Sequence, residues 1–438
     1  MASSSNRRRL NRSSESSARL ASPTFEYDLA TNLQLFNFLD SVAQVDASAS
    51  SSSVPGSAVS FSEDADHELN RMLSLHREVS TTSSAAEYHA AAQIRGDESF
   101  TKIGAGACGA VFAQDGRSLV VKLAKAEDQV LWNDYIMHAS IAKHFSTYDI
   151  DEVKIPACYY FVPKHDPQYF DQRPGLLEAA EQVCNLPTSA LVTERILALP
   201  QATRTLLIEK YCAPRNKQKA MADPANKDCL VRTYLGSSQG KSRRMFFSLR
   251  NFKMHLNQMV EIQLDVKEMA RRMAIAMAIM HWAAKTDARD VEFVLGSSTK
   301  KFPLVLDPDE LRRLEPLTYT GPSSRRDEDF FRRTTELWVL DFNQVRPITL
   351  DETGVAQAVE AARINDPYLP KPLQESLIEK QLWNAFVVSY LEASDTILQD
   401  GEYGQDALGL PRKFLLGLIE SQRKKQQVAV AATGFQDH

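Results

Sequence analysis

The stretch Phe100 to Lys125, FTKIGAGACGAVFAQDGRSLVVKLAK, carries Gly104, Gly106 and Gly109 in the spacing G-x-G-x-x-G. Val111 and Phe112 follow the last glycine, and an apolar run ends in Leu119-Val120-Val121-Lys122. The pattern predicts strand, glycine turn, strand, tight turn, strand. Glycine has no Cβ, so backbone N–H groups at such a turn can approach a phosphate closely. Lys122 sits inside an apolar strand, which excludes an ammonium unless a phosphate or an acid partners it. The dinucleotide-binding version of this spacing requires a helix directly after the glycines. Here a second strand follows, then a strand lysine, which is the order found in protein kinases. The alternative is a plain glycine-containing hairpin with a surface lysine.

Working outward, the chain has 438 residues, 43% hydrophobic and 24% charged, enough for a two-lobed domain with tails. A net charge of −5 gives no global argument for nucleic-acid binding. Cys108, Cys158, Cys184, Cys212 and Cys229 are dispersed, without C-x-x-C or finger spacing. That set argues for a reducing compartment and against a disulfide framework or a structural zinc site. The polar N-terminus has no apolar signal core, and no run reaches membrane-spanning length. The expectation is a soluble intracellular protein, cytoplasmic or nuclear, with the basic run 6–12 as a possible import patch.

Residues 1–62 read as a largely disordered Ser-rich tail, interrupted by a helix-period stripe over 25–45 (Leu29, Leu33, Phe36, Leu39, Val42). That stripe is read as a docking helix for a partner, or as a segment that returns to the domain. A helical lead-in covers 63–96, and 97–236 reads as a strand-rich lobe holding a polar insert at 200–228. Expected elements there are a helix at Glu127–His144, strands at Lys154–Val162, Ala190–Leu197 and Cys229–Leu235, and a helical piece at Leu176–Val183. Residues 237–424 read as a mainly helical lobe. Its helices are Leu249–Met259, Val266–Ala284 and three more at 351–363, 374–398 and 411–424. Short strands are expected at Val291–Leu295 and Glu336–Phe342, flanking an insert at 296–335, and a flexible tail at 425–438. Strands first and helices later give an α+β, two-lobed protein of kinase-like type.

Phosphoryl transfer needs a lysine held by an acid, a carboxylate near the attacking oxygen and oxygen ligands for Mg²⁺. Asp134, twelve residues after Lys122 on the expected helix, is the candidate for holding the lysine, with Glu127 in reserve. Asp287, after the long buried helix, is the candidate base, and Glu292, five residues on, stands where kinases place a metal-binding Asn. Glu is a competent hard ligand for Mg²⁺. Asp341, ending the next strand in Asp341-Phe342-Asn343, is the second metal candidate, with Asn343 where kinases have Gly. Each acid could instead be an ordinary surface or turn residue; their order along the chain is what supports the functional reading.

The strings IGAGACGAVF, VLWNDYIMH, KIPACYYFV, CLVRTYLG, HWAAKTDARDVEFVLG and ELWVLDFNQVRPI, spread over roughly 99–398, resemble an uncharacterised fungal family described as zinc finger proteins. The label implies zinc, which the cysteine and histidine spacings here do not support. The family in turn is similar to a remote protein-kinase-like or aminoglycoside-phosphotransferase-like fold. That resemblance implies Gly104, Gly106 and Gly109 over the phosphates of ATP, Lys122 on the α/β-phosphates, Asp287 as base, and Glu292 and Asp341 on Mg²⁺. Lys285-Thr286 before the base, Glu292 and the long insert depart from the kinase pattern, and no Ala-Pro-Glu follows Asp341. Two functions therefore stand side by side: an ATP- and Mg²⁺-dependent phosphotransferase acting on a hydroxyl, and a pseudokinase or scaffold. A zinc-dependent nucleic-acid binder is a minor third. The implied partners are a nucleotide and a protein contacting 25–45 or the insert, with neither a membrane nor nucleic acid.

Overall fold

The computed structural model describes residues 60–80, 99–301 and 328–433, apart from positions 107, 116, 126, 127, 244 and 402. The basic run 6–12, the stripe over 25–45, Glu127 and most of the insert 296–335 lie outside the described residues. The protein is a mixed α+β structure built on two five-stranded sheets.

The first sheet contains β2 (Phe100–Ala105), β3 (Gly109–Gln114), β4 (Leu119–Ala124), β5 (Cys158–Val162) and β6 (Ala190–Glu194), antiparallel in the order β2-β3-β4-β6-β5. Period-two alternation divides its faces. Val121 and Leu123 join Phe112, Val162 and Val192 in a core capped by α3 (Pro167–Asp171) and α4 (Pro174–Ala180). Phe112 and Leu123 are fully buried, each contributing about 1.5–3 kcal/mol. Lys122 lies between Val121 and Leu123 and therefore points to the opposite face. There α2 (Asp128–Thr147) packs through Leu131 against Ala124 and Leu191.

The second sheet runs β1-β10-β9-β7-β8, with β1 (Glu78–Ser80), β7 (Val231–Tyr234), β8 (Phe252–His255), β9 (Glu292–Lys301) and β10 (Glu328–Leu340). β7 and β8 pair in parallel. The main core lies here, centred on α8 (Val266–Ala278), which is preceded by α5 (Gln201–Tyr211), α6 (Lys217–Ala222) and α7 (Leu256–Glu261). On α8, Met269, Met273 and Met277 are buried at successive turns. The side chain of Asp265 caps it by accepting from the Glu268 N–H at 2.9 Å. It packs against α10 (Leu377–Asp400), which presents Leu382, Phe386 and Tyr390. α9 (Glu352–Ile364), α11 (Gln405–Leu408) and α12 (Leu410–Thr433) complete the helices, and α1 (Ser60–Leu73) inserts Leu69 and Leu73 into the same core.

Several sequence expectations are corrected. Leu249–Met259 is not one helix: Phe252–His255 is strand β8, its side chains alternating inward and outward, and α7 begins only at Leu256. The strand within Cys229–Leu235 pairs with β8 and β9, so it belongs to the second sheet and not to the strand-rich lobe. The two short strands around the insert are parts of one long antiparallel pair, in a single register from Leu340↔Glu292 to Arg333↔Thr299 and resuming after a register shift at Asp329↔Lys300 and Glu328↔Lys301. The polar insert 200–228 contains α5 and α6. The expected tail is helical as far as Thr433. α8 gives way at Ile279 to a π-helical turn reaching Ala283, and this re-aims the chain into the loop 285–290. No helix among the described residues is long and apolar enough to cross a membrane.

Candidate functional site

Lys122 is the meeting point of the two sheets. Its Nζ donates to Asp134 Oδ2 at 2.7 Å and to Asp341 Oδ1 at 2.9 Å. Burial alone would lower the pKa of this ammonium; the carboxylates of Asp134 and Asp341 outweigh burial and raise it, so Lys122 is held charged. The lysine side chain is 16% exposed, Asp134 6% and Asp341 30%, so the pair with Asp134 is the dry one. Asp134 also accepts the Phe342 N–H through Oδ1 at 3.2 Å. One helix thereby orients both the lysine and the backbone that follows Asp341.

Two further α2 residues, which the spacing argument did not single out, fix the same segment. Asn133 donates to the carbonyls of Asn343 and Val345, each at 3.0 Å. His138 packs on Phe342, ring centroids 4.9 Å apart, and its Nε2 lies 2.7 Å from Pro156 O. Burial pushes the His138 pKa down. Asp134 and His138 lie one turn apart on the same helix face, a periodicity visible in the sequence, and Asn133 flanks Asp134.

The glycine turn stands over this group. The Gly106 N–H donates to Gly109 O at 2.9 Å, closing the turn, and Lys125 Nζ reaches Gly106 O at 3.0 Å. A Cβ on Gly109 would lie 2.9 Å from Leu123 O and 3.2 Å from Lys122 Cε, so this glycine is sterically required beside the lysine. A Cβ on Gly106 would meet nothing within 4 Å, and one on Gly104 only ordinary contact with Val111.

The loop after α8 departs from its expected role. Asp287 is 0% exposed. Its Oδ1 accepts from the N–H groups of Arg289 (3.1 Å) and Arg346 (2.9 Å). Its Oδ2 accepts from Arg346 Nε (2.6 Å) and Gln357 Nε2 (3.3 Å). A carboxylate has about four lone-pair sites, so four donors saturate it. The candidate base is thus a structural brace in this arrangement, and it is not brought to Lys122. Asp290, three residues on, is the acid that sequence spacing missed. It is half-buried, left-handed at φ 60°, and held by Asn365, whose Oδ1 accepts the Asp290 N–H at 2.6 Å. Gln344 donates to Asp290 Oδ2. Burial raises the Asp290 pKa, and the nearby charge of Asp341 adds to the rise.

Glu292 begins β9 and pairs with Arg232 at 2.7 Å. Burial pushes its pKa up to about 7, against the pull of Arg232, with Asp341 and Asp290 adding to the rise. Asp290, Glu292, Asp341 and Lys122 therefore share one electrostatic neighbourhood. Among the described residues, no three His, Cys, Asp or Glu side chains are grouped to hold a metal ion. Left-handed backbone marks the end of β10. Asp341 itself adopts the left-handed conformation at φ 68°, and Asn343 does not. Lys285, Ala288 and Asp290 are also at positive φ, so non-glycine residues in left-handed backbone recur in the loop after α8 and at the end of β10, a form of strain that collects at functional sites.

Residues 337–402 match a domain family of uncharacterised function whose model is described as "Zinc finger protein". No curated protein and no solved structure matches the chain. The description does not fit the chemistry of the matched stretch, which contains neither Cys nor His. The five cysteines are free, and burial raises the thiol pKa of each, that of Cys158 and Cys229 to about 12.

Proposed function

We propose that this is a kinase-like protein whose cleft binds ATP with Mg²⁺ against Lys122. The observation that carries the reading is the lysine clamp: an ammonium held charged between Asp134, on the packed helix, and Asp341, at a strand end in the other sheet. A small antiparallel sheet, a glycine turn on its first two strands, a lysine on the third and an acid on the following helix are parts that a kinase arrangement calls for, and they support the reading. Gly109 would keep the turn close above the lysine. Mg²⁺ is ordinarily held by one or two carboxylates together with phosphate oxygens, so Asp341 with Asp290 or Glu292 would suffice without a three-acid cage. The bound nucleotide would supply the transferable phosphoryl group.

Transfer to a hydroxyl requires a carboxylate that can receive the acceptor's proton. Asp290 is open to solvent on one side, whereas Asp287 is saturated. A second reading, nucleotide binding without turnover, is favoured by that saturation of Asp287. Thermal unfolding with ATP and Mg²⁺ tests the binding. A ligand at 100 times its Kd stabilises by about 2.7 kcal/mol, which in a chain of this size is a shift of roughly 3–4 °C. The wild type is expected to shift and Asp341→Ala to shift much less. Absence of any shift at millimolar nucleotide overturns the proposal. Incorporation of labelled phosphate into a hydroxyl acceptor, or its absence with binding intact, separates the two readings.

A further inference from the structure

The loop between β7 and β8 is held firmly yet ends in an aromatic left in water. Phe246 is 97% exposed and its neighbour Met245 is exposed as well. Single exposed apolar residues are ordinary on loose loops, but this loop is anchored along its length. Asn257 donates to Gly240 O at 2.9 Å and accepts from its N–H at 2.8 Å. Asn216 donates to Met245 O at 2.7 Å, and Arg215 Nη2 lies 3.0 Å from Met245 Sδ. Asn226 Oδ1 accepts from Leu249 N at 2.7 Å. The stretch KSRRMFFSLR, 241–250, carries four basic residues and no acid, and exposed Arg215 touches the same tip.

One segment of the chain has the complementary composition. Residues 25–45 hold Glu26, Asp28 and Asp40, no Lys or Arg, and the apolar stripe Leu29, Leu33, Phe36, Leu39 and Val42. Its tether leads to the right place. α1 runs antiparallel to α5, because Met72 Sδ meets Thr203 Oγ1 at 3.3 Å while Asp66 meets Lys210 at 2.8 Å. The Ser60 end of α1 therefore lies at the Lys210–Tyr211 end of α5, from which the chain continues within three residues to Pro214–Asn216, the turn whose Asn216 holds Met245. The 14 residues between 45 and 60 can span roughly 45–50 Å when extended.

We infer that residues 25–45 dock in cis on the basic, Phe246-tipped loop 241–250, with the apolar stripe covering Met245 and Phe246 and the three acids facing the arginines. This is independent of any nucleotide in the cleft. It is tested in the full chain by placing the photoreactive residue p-benzoylphenylalanine at position 246 and mapping crosslinks by mass spectrometry. Crosslinks to 25–45 within one chain are expected, unchanged on tenfold dilution. They should fall at least fivefold with Leu33→Asp and Phe36→Asp together, and again with Lys241→Glu and Arg243→Glu. Hydrogen exchange should show 241–250 losing protection in the Leu33→Asp, Phe36→Asp chain. Crosslinks to another segment, crosslinks between two copies, or crosslinks indifferent to both sets of substitutions would overturn the inference.

Discussion

Replacing Asp134 with asparagine probes the lysine clamp at its driest contact. Removing one charge from a buried ion pair costs about 3–5 kcal/mol when the partner is left alone. Lys122 would keep Asp341 at 2.9 Å, which offsets part of that loss. The new amide could still accept the Phe342 N–H, but its NH₂ group would face another donor at Lys122 and forfeit a charge-assisted bond of about 1.5–3 kcal/mol. The expected cost is therefore about 2–3 kcal/mol. Asp341→Asn removes a more exposed partner and should cost about 1 kcal/mol or less. Urea unfolding with unchanged slope gives both values. Because the Lys122 pKa is raised on folding, its contribution is fully present below the unfolded lysine value. It is lost only as pH rises through the higher folded value, so the difference between variants should stay flat from pH 6 to 9. An Asp341→Asn cost equal to or above that of Asp134→Asn would refute the assignment of Asp134 as the principal partner.

Other consequences follow from the same geometry. Gly109→Ala should destabilise by about 1–2 kcal/mol, through contact with Leu123 O and Lys122, while Gly106→Ala should be sterically silent; paired denaturation curves check this. Glu292 has a folded pKa near 7, above the unfolded carboxylate value. It favours folding below about pH 4, and that contribution is lost as pH rises through 7. Glu292→Gln should therefore gain about 2–3 kcal/mol on the wild type between pH 4 and 8, read from stability against pH. Asp287→Asn should cost about 3–5 kcal/mol because donors from Arg346 and Gln357 lose their acceptor, yet any variant protein that folds should bind nucleotide as the wild type does. In contrast, Asp290→Asn should leave stability nearly unchanged and abolish any phosphotransfer.

The first sheet was legible because its signals are local: β-branched alternation, turn glycines and a lysine out of place in an apolar strand. The pairing of Lys122 with Asp134 follows from a twelve-residue spacing between a strand and the next helix. The state of Asp287 is another matter. Three of its four donors lie 59 and 70 residues away, on Arg346 and Gln357, and no spacing rule connects them. Asp290 was present as an acid in the same loop, but its importance depends on Asn365 and Gln344 holding it at a left-handed backbone position. The strand extension was hidden because SSTKK in β9 offers no apolar alternation. β8 was missed because four residues cannot separate a strand from a helix by periodicity.

The central claim is that the charge on Lys122 serves a phosphate. Calorimetric titration of ATP with Mg²⁺ into the wild type and into Lys122→Met, with near-ultraviolet circular dichroism confirming that both are folded, addresses it directly. The account predicts saturable binding by the wild type and a loss of at least tenfold in affinity for the variant, about 1.4 kcal/mol. Equal affinity for both, or no heat of binding with the folded wild type, would contradict it.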